Sequence, residues 1–289
     1  LGGGREGAVR ILFVGLEEPE VQEITQQTGC LSVVYEHLPN VKLVEGELFA
    51  ESRLHPGKFL KIDKVVYHGI FENDFDTLTL LALWGGPCLP DAGGMMDCRL
   101  RHSGLVRALR VTRFGNLPRG MSVGAGEWLA ERPTVAKWSN WHCGENKARF
   151  QGAWTSPNEI TVYEPFIEGE AVRLMLVGEQ AWQIHLKGDD WLKSIHHTDA
   201  GQMPIDADLL EDARRLAAHF NFALVGIDYM IDNQGNKFLL EVNHIPNVTV
   251  FPFMREAYVA FAVQWIKPPP TPSKEGASSS VLSKNLPKR

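Results

Sequence analysis

An open α/β layer followed by a larger α+β half is the fold class this sequence predicts, and three observations carry it. Over the first third, short apolar runs alternate with turn-rich and helical stretches, as in a layer of strands covered by helices. The segment WGGPCLPDAGG, Trp84 to Gly94, then breaks the pattern with a cluster of turn formers. Beyond it, β-type runs follow one another closely, as antiparallel strands do, with amphipathic helices between them. A chain of 289 residues suits about two domains at roughly 150 residues each.

Taken in order, Val9 to Val14, Leu31 to Tyr35 and Lys64 to His68 read as strands, and Asp76 to Trp84 as a helix. The turn cluster places a boundary that assigns residues 8–97 to the first domain and 98–267 to the second. Arg99 to Arg110 has helical periodicity, and Thr134 to Lys137 is a strand that runs into a polar, aromatic loop. Strand-like runs follow at Glu159 to Phe166, Ala171 to Val177 and Ala181 to Leu186. Leu209, Leu210, Ala213, Leu216, Ala217 and Phe220 then form the stripe of an amphipathic helix. From Pro268 the composition is rich in Pro, Ser, Lys and Gly, with too little apolar surface to offset ordering, so 268–289 is expected to be a disordered tail.

Composition narrows the function classes. No stretch approaches the roughly 18 apolar residues of a membrane span, and the short run Val9 to Val14 is followed by Glu17 and Glu18, so neither a membrane role nor a secretory signal is expected. The formal net charge is −6, and no basic stripe interleaved with aromatics tracks a phosphate backbone, which argues against a nucleic-acid partner. Cys30, Cys88, Cys98 and Cys143 form no CxxC pair and suit neither zinc nor a disulfide framework; reduced thiols and a cytoplasmic location are the expectation.

The segment ALVGIDYMIDNQGNKFLLEVN, Ala223 to Asn243, reads as a hairpin, with two apolar runs flanking the turn formers Asp232 to Asn236. A loop symmetric about Gln234 and Gly235 places Asp228 across from Glu241, and the strand period of two turns Asn243 to the same face. Like charges opposed at about 5 Å destabilise a sheet pair unless a cation lies between them. An Asp, Glu, Asn set suits hard Mg²⁺, with Mn²⁺ as an alternative, and Mg²⁺ completes its shell with water and substrate phosphates. A solvated hairpin satisfies the same spacing, and a loop of odd length would part the pair.

Two further segments carry chemistry. In TVAKWSNWHCGENK, a strand ending at Lys137 and a loop leading to Lys147 could neutralise phosphate oxygens, although most lysines are surface residues. In VYEPFIEGEAVR, a strand end with Pro165 and Phe166 offers apolar walls for a base, and equally a plain hairpin corner.

In this order the pieces resemble the ATP-grasp superfamily over roughly Ala8 to Trp265. GID ending at Asp228 and LLEVN ending at Asn243 are similar to the metal-binding strand pair of glutathione synthetase and ribosomal-protein glutamate ligase types. VAKWSNWHCGENK and YEPFIEGEAVRL are similar to the synapsin branch. The resemblance implies a pre-ATP-grasp α/β domain followed by two α+β subdomains that enclose the nucleotide, with a lid at about 130–165. It further implies that Asp228, Glu241 and Asn243 hold Mg²⁺ against ATP, and that Lys137 contacts the α and β phosphates. Glu164, Phe166 and Ile167 would line the adenine pocket and Glu170 would contact ribose. His142, Gly144 and Lys147 belong to the lid loop, and Arg173 and Lys187 would face the transferred phosphoryl group. Lys193 and His196 would lie on the substrate side, with His197 beside them. The lid is poorer in Gly than that of most ligases and carries Trp138 and Trp141, while Leu192 and Ser194 stand where glutamate-adding ligases have Arg and Asn.

The implied reaction is an ATP-dependent ligation through an acyl phosphate, joining a small-molecule or peptide carboxylate to an amine. No P-loop is present, and neither that nor a protein nucleophile is required. The alternative is a catalytically silent, ATP-binding regulatory or scaffold protein like synapsin. Related folds are often dimeric, so a homodimer is a further expectation, although no coiled-coil heptad marks it.

Overall fold

The computed structural model describes residues 8–140, 145–188, 190–192 and 198–267. The expected lid residues His142 and Gly144, the substrate-side residues Lys193, His196 and His197, and the tail from 268 lie outside the described residues.

The first layer comprises β1 (Arg10–Val14), α1 (Glu18–Thr28), β2 (Leu31–Tyr35), β3 (Val41–Val44), β4 (Glu47–Ser52), β5 (His55–Ile62), β6 (Lys64–Tyr67), α2 (Phe75–Trp84), β7 (Cys88–Leu89), α3 (Ala92–Arg99) and α4 (Arg101–Ala108). Parallel pairing gives the order β2-β1-β6-β7, while β3, β4 and β5 form a separate antiparallel meander. Ile11, Leu12, Phe13 and Val14 are all buried, because a parallel strand is covered on both faces and reads as one apolar run. Helix α1 lacks such a signal. Its sequence EPEVQEITQQT buries few apolar side chains, and its bounds come from a proline in the first turn and Gly29, whose φ of 68° ends it in the left-handed region.

The helix expected over Arg99 to Arg110 is two helices, split at an extended Leu100. The break lets two buried arginines serve different sides. Arg99 pairs with Asp74 in the first layer, and Arg101 donates to the carbonyls of Trp138, at the end of a strand of the next sheet, and of Glu145, just before the strand that pairs with it.

That sheet contains β8 (Gly120–Ser122), β9 (Gly126–Trp138), β10 (Lys147–Ser156) and β11 (Thr161–Pro165), in the order β10-β9-β11-β8. The strand expected at Thr134 to Lys137 is the end of a 13-residue strand. Register shifts between Phe150 and Gly152, next to Pro133, where a missing ladder N–H does least harm. The far part of the hairpin reaches the rest of the sheet, so that Trp128 stacks on Tyr163 at 4.0 Å and Trp154 meets both Trp138 and Phe150. Trp138 is therefore the last residue of the strand and packs on Trp154, and does not belong to the loop expected to follow Lys137.

The last sheet is built from β12 (Gly169–Val177), β13 (Gln180–Lys187), β14 (Asp199–Met203), β15 (Leu224–Asp232) and β16 (Lys237–Asn243), in the order β14-β13-β12-β15-β16, with α5 (Ala207–His219) and α6 (Pro252–Ile266). Helix α5 packs Leu209, Ala213 and Leu216 on one face, against Val172, Leu174, Ile227 and Tyr229. The other face carries Ala171, Met175 and Val177 into a cluster with Tyr258, Val259 and Ala262 of α6 and Ile11 and Phe13 of β1, which fastens the parallel layer to this sheet. Among the described residues no helix is long and apolar enough to cross a membrane, and Cys30, Cys88 and Cys98 are unpaired.

Asp212 of α5 is 0% exposed and accepts hydrogen bonds from Thr112 Oγ1, the Arg113 N–H and Tyr229 Oη at 2.7–2.9 Å. It braces β15 from behind, one residue from Asp228. Asp212→Ala strands the buried Tyr229 hydroxyl and removes two part-buried hydrogen bonds, and is expected to lower stability by about 2–3 kcal/mol in urea unfolding. Asp208→Ala, on the exposed first turn of the same helix, should cost less than about 1 kcal/mol.

Candidate active site

The turn between β15 and β16 is odd in length, which corrects the symmetric loop expected from sequence. The Asp232 N–H donates to the Asn236 carbonyl at 2.9 Å, and Gly235 takes φ 83°, a conformation glycine adopts without strain. Next to this turn Ile231 opposes Lys237 and Tyr229 opposes Leu239, a register that carried onward sets Leu240 against Asp228. A bulge between Tyr229 and Asp228 takes up one residue, so Asp228 opposes Glu241 and Gly226 opposes Asn243. The expected opposition is present, and an irregularity produces it. In a regular strand neighbouring side chains part company; at this bulge Leu240 and Glu241 both line the same cleft.

Arg173 lies across from Asp228 on β12. Its Nε and Nη2 donate to the two carboxylate oxygens at 2.6 and 2.9 Å, and Asn243 Nδ2 donates to Oδ2 at 3.2 Å. Burial works against the guanidinium's charge, but Asp228 and Glu241 outweigh it and hold the Arg173 pKa above its ordinary value. Asp228, Glu241 and Asn243 thus share one face with a cation already among them. As donors the three fit a hard divalent ion. A carboxylate has about four lone-pair sites, so Asp228 can serve Arg173 and a metal together, and Asn243 would turn its oxygen inward. Among the described residues no group of three or more His, Cys, Asp or Glu is gathered for a metal. A cation here would therefore rest on two carboxylates, one amide and ligands from outside the chain.

The opposing wall is positive. Lys137 and Lys147 are direct cross-strand partners on β9 and β10, so Lys147 belongs to the strand and not, as expected, to a loop. Burial, followed by the charges of Lys137 and Arg101, lowers the Lys147 pKa, while Glu241 and Asp228 across the cleft oppose that shift. Glu164 is 3% exposed and bridges Lys137 and Arg119, whose Nε donates at 2.6 Å. Arg119 also donates to the Leu239 carbonyl at 3.0 Å, tying the two sheets together behind the cleft. Burial pushes the Glu164 pKa up, but Lys137 and Arg119 prevail, and the net shift is downward.

Between these walls lies a cavity of about 220 Å³, lined by Leu117, Val135, Phe166, Ile167, Met230 and Leu240 as well as by Lys137, Lys147, Glu164, Glu168, Asp228 and Glu241. It is mostly apolar with a few charged groups at fixed points, the usual make-up of a small-molecule site. Arg149 lies 3.6 Å from the centre of the Phe166 ring and holds it against the sheet.

Two expected residues are elsewhere. Glu170 is exposed, and strand alternation puts it on the α5 face with Val172 and Leu174; Glu168 lines the cavity instead. Lys187 is exposed at the end of β13, on the face opposite Leu186, and so is turned away from Arg173. Conversely, Arg101, His102 and Arg119 reach the site without any signal in periodicity. His102 is buried beside Lys137 and Glu241, and burial, followed by Arg101 and Lys137, lowers its pKa to about 4. Each comes from a segment that only the folded chain brings to the cleft.

No family model and no curated protein matches the sequence. Solved structures do match the fold. The RiPP-associated ATP-grasp ligase of Chryseobacterium gregarium, in complex with ADP and a leader and core peptide, superposes with a TM-score of 0.59 at 12% identity, covering 89% of this chain and 97% of that one. D-alanyl-alanine synthetase A from Vibrio cholerae gives 0.61 at 14% identity, with 90% and 97% covered. The ATP-grasp ligase PsnB, complexed with minimal precursor, Mg and ADP, gives 0.61 at 12% identity, with 89% and 97% covered. At these identities the likeness is one of fold, and it extends over nearly the whole of each chain.

The Glu164 bridge yields a pH signature. Its folded-state pKa lies below the unfolded value, so the stability it contributes is fully present above the ordinary carboxylate value of 4.5 and is lost as pH falls through the lowered one. Glu164→Gln should be about 3–5 kcal/mol less stable than the parent in chemical denaturation at pH 7. The gap between the two should begin to narrow as pH falls below 4.5 and go on narrowing as pH falls further.

Proposed function

Starting from an ATP-grasp fold, we propose that this chain is an ATP-dependent ligase that activates a carboxylate as an acyl phosphate and passes it to an amine. The observation that carries this reading is the apposition of the Asp228, Glu241 and Asn243 face with the Lys137 and Lys147 pair across one cavity. The adenine ring would sit among Phe166, Ile167, Met230 and Leu240, with Glu168 in place of Glu170 as the ribose contact. Lys137 and Lys147 would neutralise the α and β phosphates as compact point charges.

Asp228, Glu241 and Asn243 would hold Mg²⁺, which when bound neutralises charge on the β and γ phosphates. Once Asp228 shares its charge with a cation, Arg173 is free to turn toward the oxygens of the transferred phosphoryl group, where fixed positive charge stabilises the transition state. The substrate carboxylate attacks the γ-phosphorus and ADP departs. The amine nitrogen then attacks the acyl carbon, the bond from that carbon to the phosphate oxygen breaks, and the nitrogen gives up a proton. No side chain acts as nucleophile; positioning and charge carry the rate. Glu164 serves this arrangement indirectly, by fixing Lys137.

The similar structures include both a dipeptide synthetase and ligases in complex with peptides, so an acceptor panel must span amino acids and peptides. Glu241→Gln and Asp228→Asn are expected to lower acceptor-stimulated ADP release about 100-fold or more, with metal-free ADP affinity unchanged. Hydroxylamine should trap the acyl phosphate as a hydroxamate. Tight ATP binding with no ADP formation across the panel would instead support the regulatory, synapsin-like alternative.

A further inference from the structure

Arg119 stands between the two walls of the cleft, and its guanidinium is engaged at every nitrogen. Nε donates to Glu164 at 2.6 Å, Nη1 to the carbonyls of Gly115 and Leu117 at 3.2 Å, and Nη2 to the Leu239 carbonyl at 3.0 Å. The segment that carries it, between α4 and β8, meets Leu239 a second time, since the Leu239 N–H donates to the Phe114 carbonyl at 2.9 Å. Strand β16 lies at the edge of its sheet, and Leu239 sends both backbone groups to this segment.

The Leu239 carbonyl belongs to the peptide unit that leads into Leu240, the extra residue of the bulge. A peptide unit is planar, so this carbonyl and the Leu240 N–H turn together. At a bulge the ladder leaves the extra residue unpaired, and the hydrogen bond from Arg119 supplies the restraint that the ladder does not. The next residue is Glu241, and the setting of that peptide unit decides how it is presented opposite Asp228.

On the other wall Arg119 shares a carboxylate. Glu164 is 3% exposed, and its two oxygens are divided, Oε1 to Arg119 and Oε2 to Lys137. A buried carboxylate demands compensating charge. Because Arg119 meets part of that demand, the Lys137 ammonium, which can donate more than once, keeps donors for the phosphates of a nucleotide. Without Arg119 the whole demand falls on Lys137 and draws it back from the cleft.

We propose that Arg119 is a positioning residue for both walls at once: through the Leu239 carbonyl it aims Glu241 at the cation, and through Glu164 it leaves Lys137 able to bind phosphate. The proposal rests on the metal and phosphate reading given above. The test measures two affinities of the full chain, for metal-free ADP by calorimetry and for Mn²⁺ by electron paramagnetic resonance with ADP at saturation. Arg119→Met should weaken both, each at least about tenfold. Arg119→Lys keeps a charge for Glu164 but lacks the fork that reaches Leu239 at the same time. It should bind ADP within about threefold of the parent, while its Mn²⁺ binding stays at least about tenfold weaker. General loosening of the fold would instead weaken both affinities in both variants. Such a parallel loss, or parent affinities in folded Arg119→Met, overturns the role of Arg119 alone. If the parent binds ADP but no Mn²⁺ beside it, the metal reading fails, and if it binds no ADP the nucleotide reading fails; the proposal falls with either. Should Arg119→Met not fold, Arg119→Lys decides by itself: retained ADP affinity with weakened Mn²⁺ binding supports the proposal, and any other result overturns it.

Discussion

Two carboxylates opposed on neighbouring strands, on a face largely shielded from water, demand positive charge beside them, and much of this molecule is arranged to meet that demand. Asp228 takes the demand most directly, through two hydrogen bonds from Arg173 on the next strand. Across the cleft, Lys137 and Lys147 are held side by side although they repel each other, because Glu164 lies behind one and the acidic pair faces the other. The site is therefore a balance between two charged walls, each unfavourable alone, and the magnesium-bound polyphosphate proposed for it would complete both.

The scaffold keeps those walls at a fixed spacing. Helix α5 braces the acidic strand from behind through Asp212 and Tyr229, and α6 fastens the same sheet to the parallel layer. Arg119 bonds both Glu164 and the Leu239 carbonyl, so the basic sheet cannot shift without disturbing the acidic one. The basic sheet carries its own small aromatic core, in which Trp128 and Tyr163 stack and Trp138 meets Trp154. That core gives a short sheet enough rigidity to present two lysines in register.

Much of the site was legible from residue order alone, but not always for the right reason. The opposition of Asp228 and Glu241 followed from an assumed even loop; the loop is odd, and the bulge at Leu240 restores the pairing. Bulges are invisible to a count of residues because they depend on what the extra side chain gains, and here Leu240 gains a place in an apolar cleft. Glu170 and Lys187 were assigned by their nearness to matching motifs, whereas in a strand one step along the chain reverses the face. Helix α1 went unread because caps, and not an apolar stripe, define it.

Residue identity and order were enough to establish the α/β layer, the antiparallel half, the hairpin and its acids, and the strand lysine, since these follow from short-range periodicity and local turn chemistry. Folding decided which side chains stand together. The bulge, the break at Leu100 that sends Arg99 and Arg101 to partners in different parts of the chain, and the approach of His102 and Arg119 to the cleft all arise from packing between segments far apart in the chain. Such contacts are selected by the shape and charge of a cleft that exists only once the sheets have closed on each other, and no local pattern encodes them.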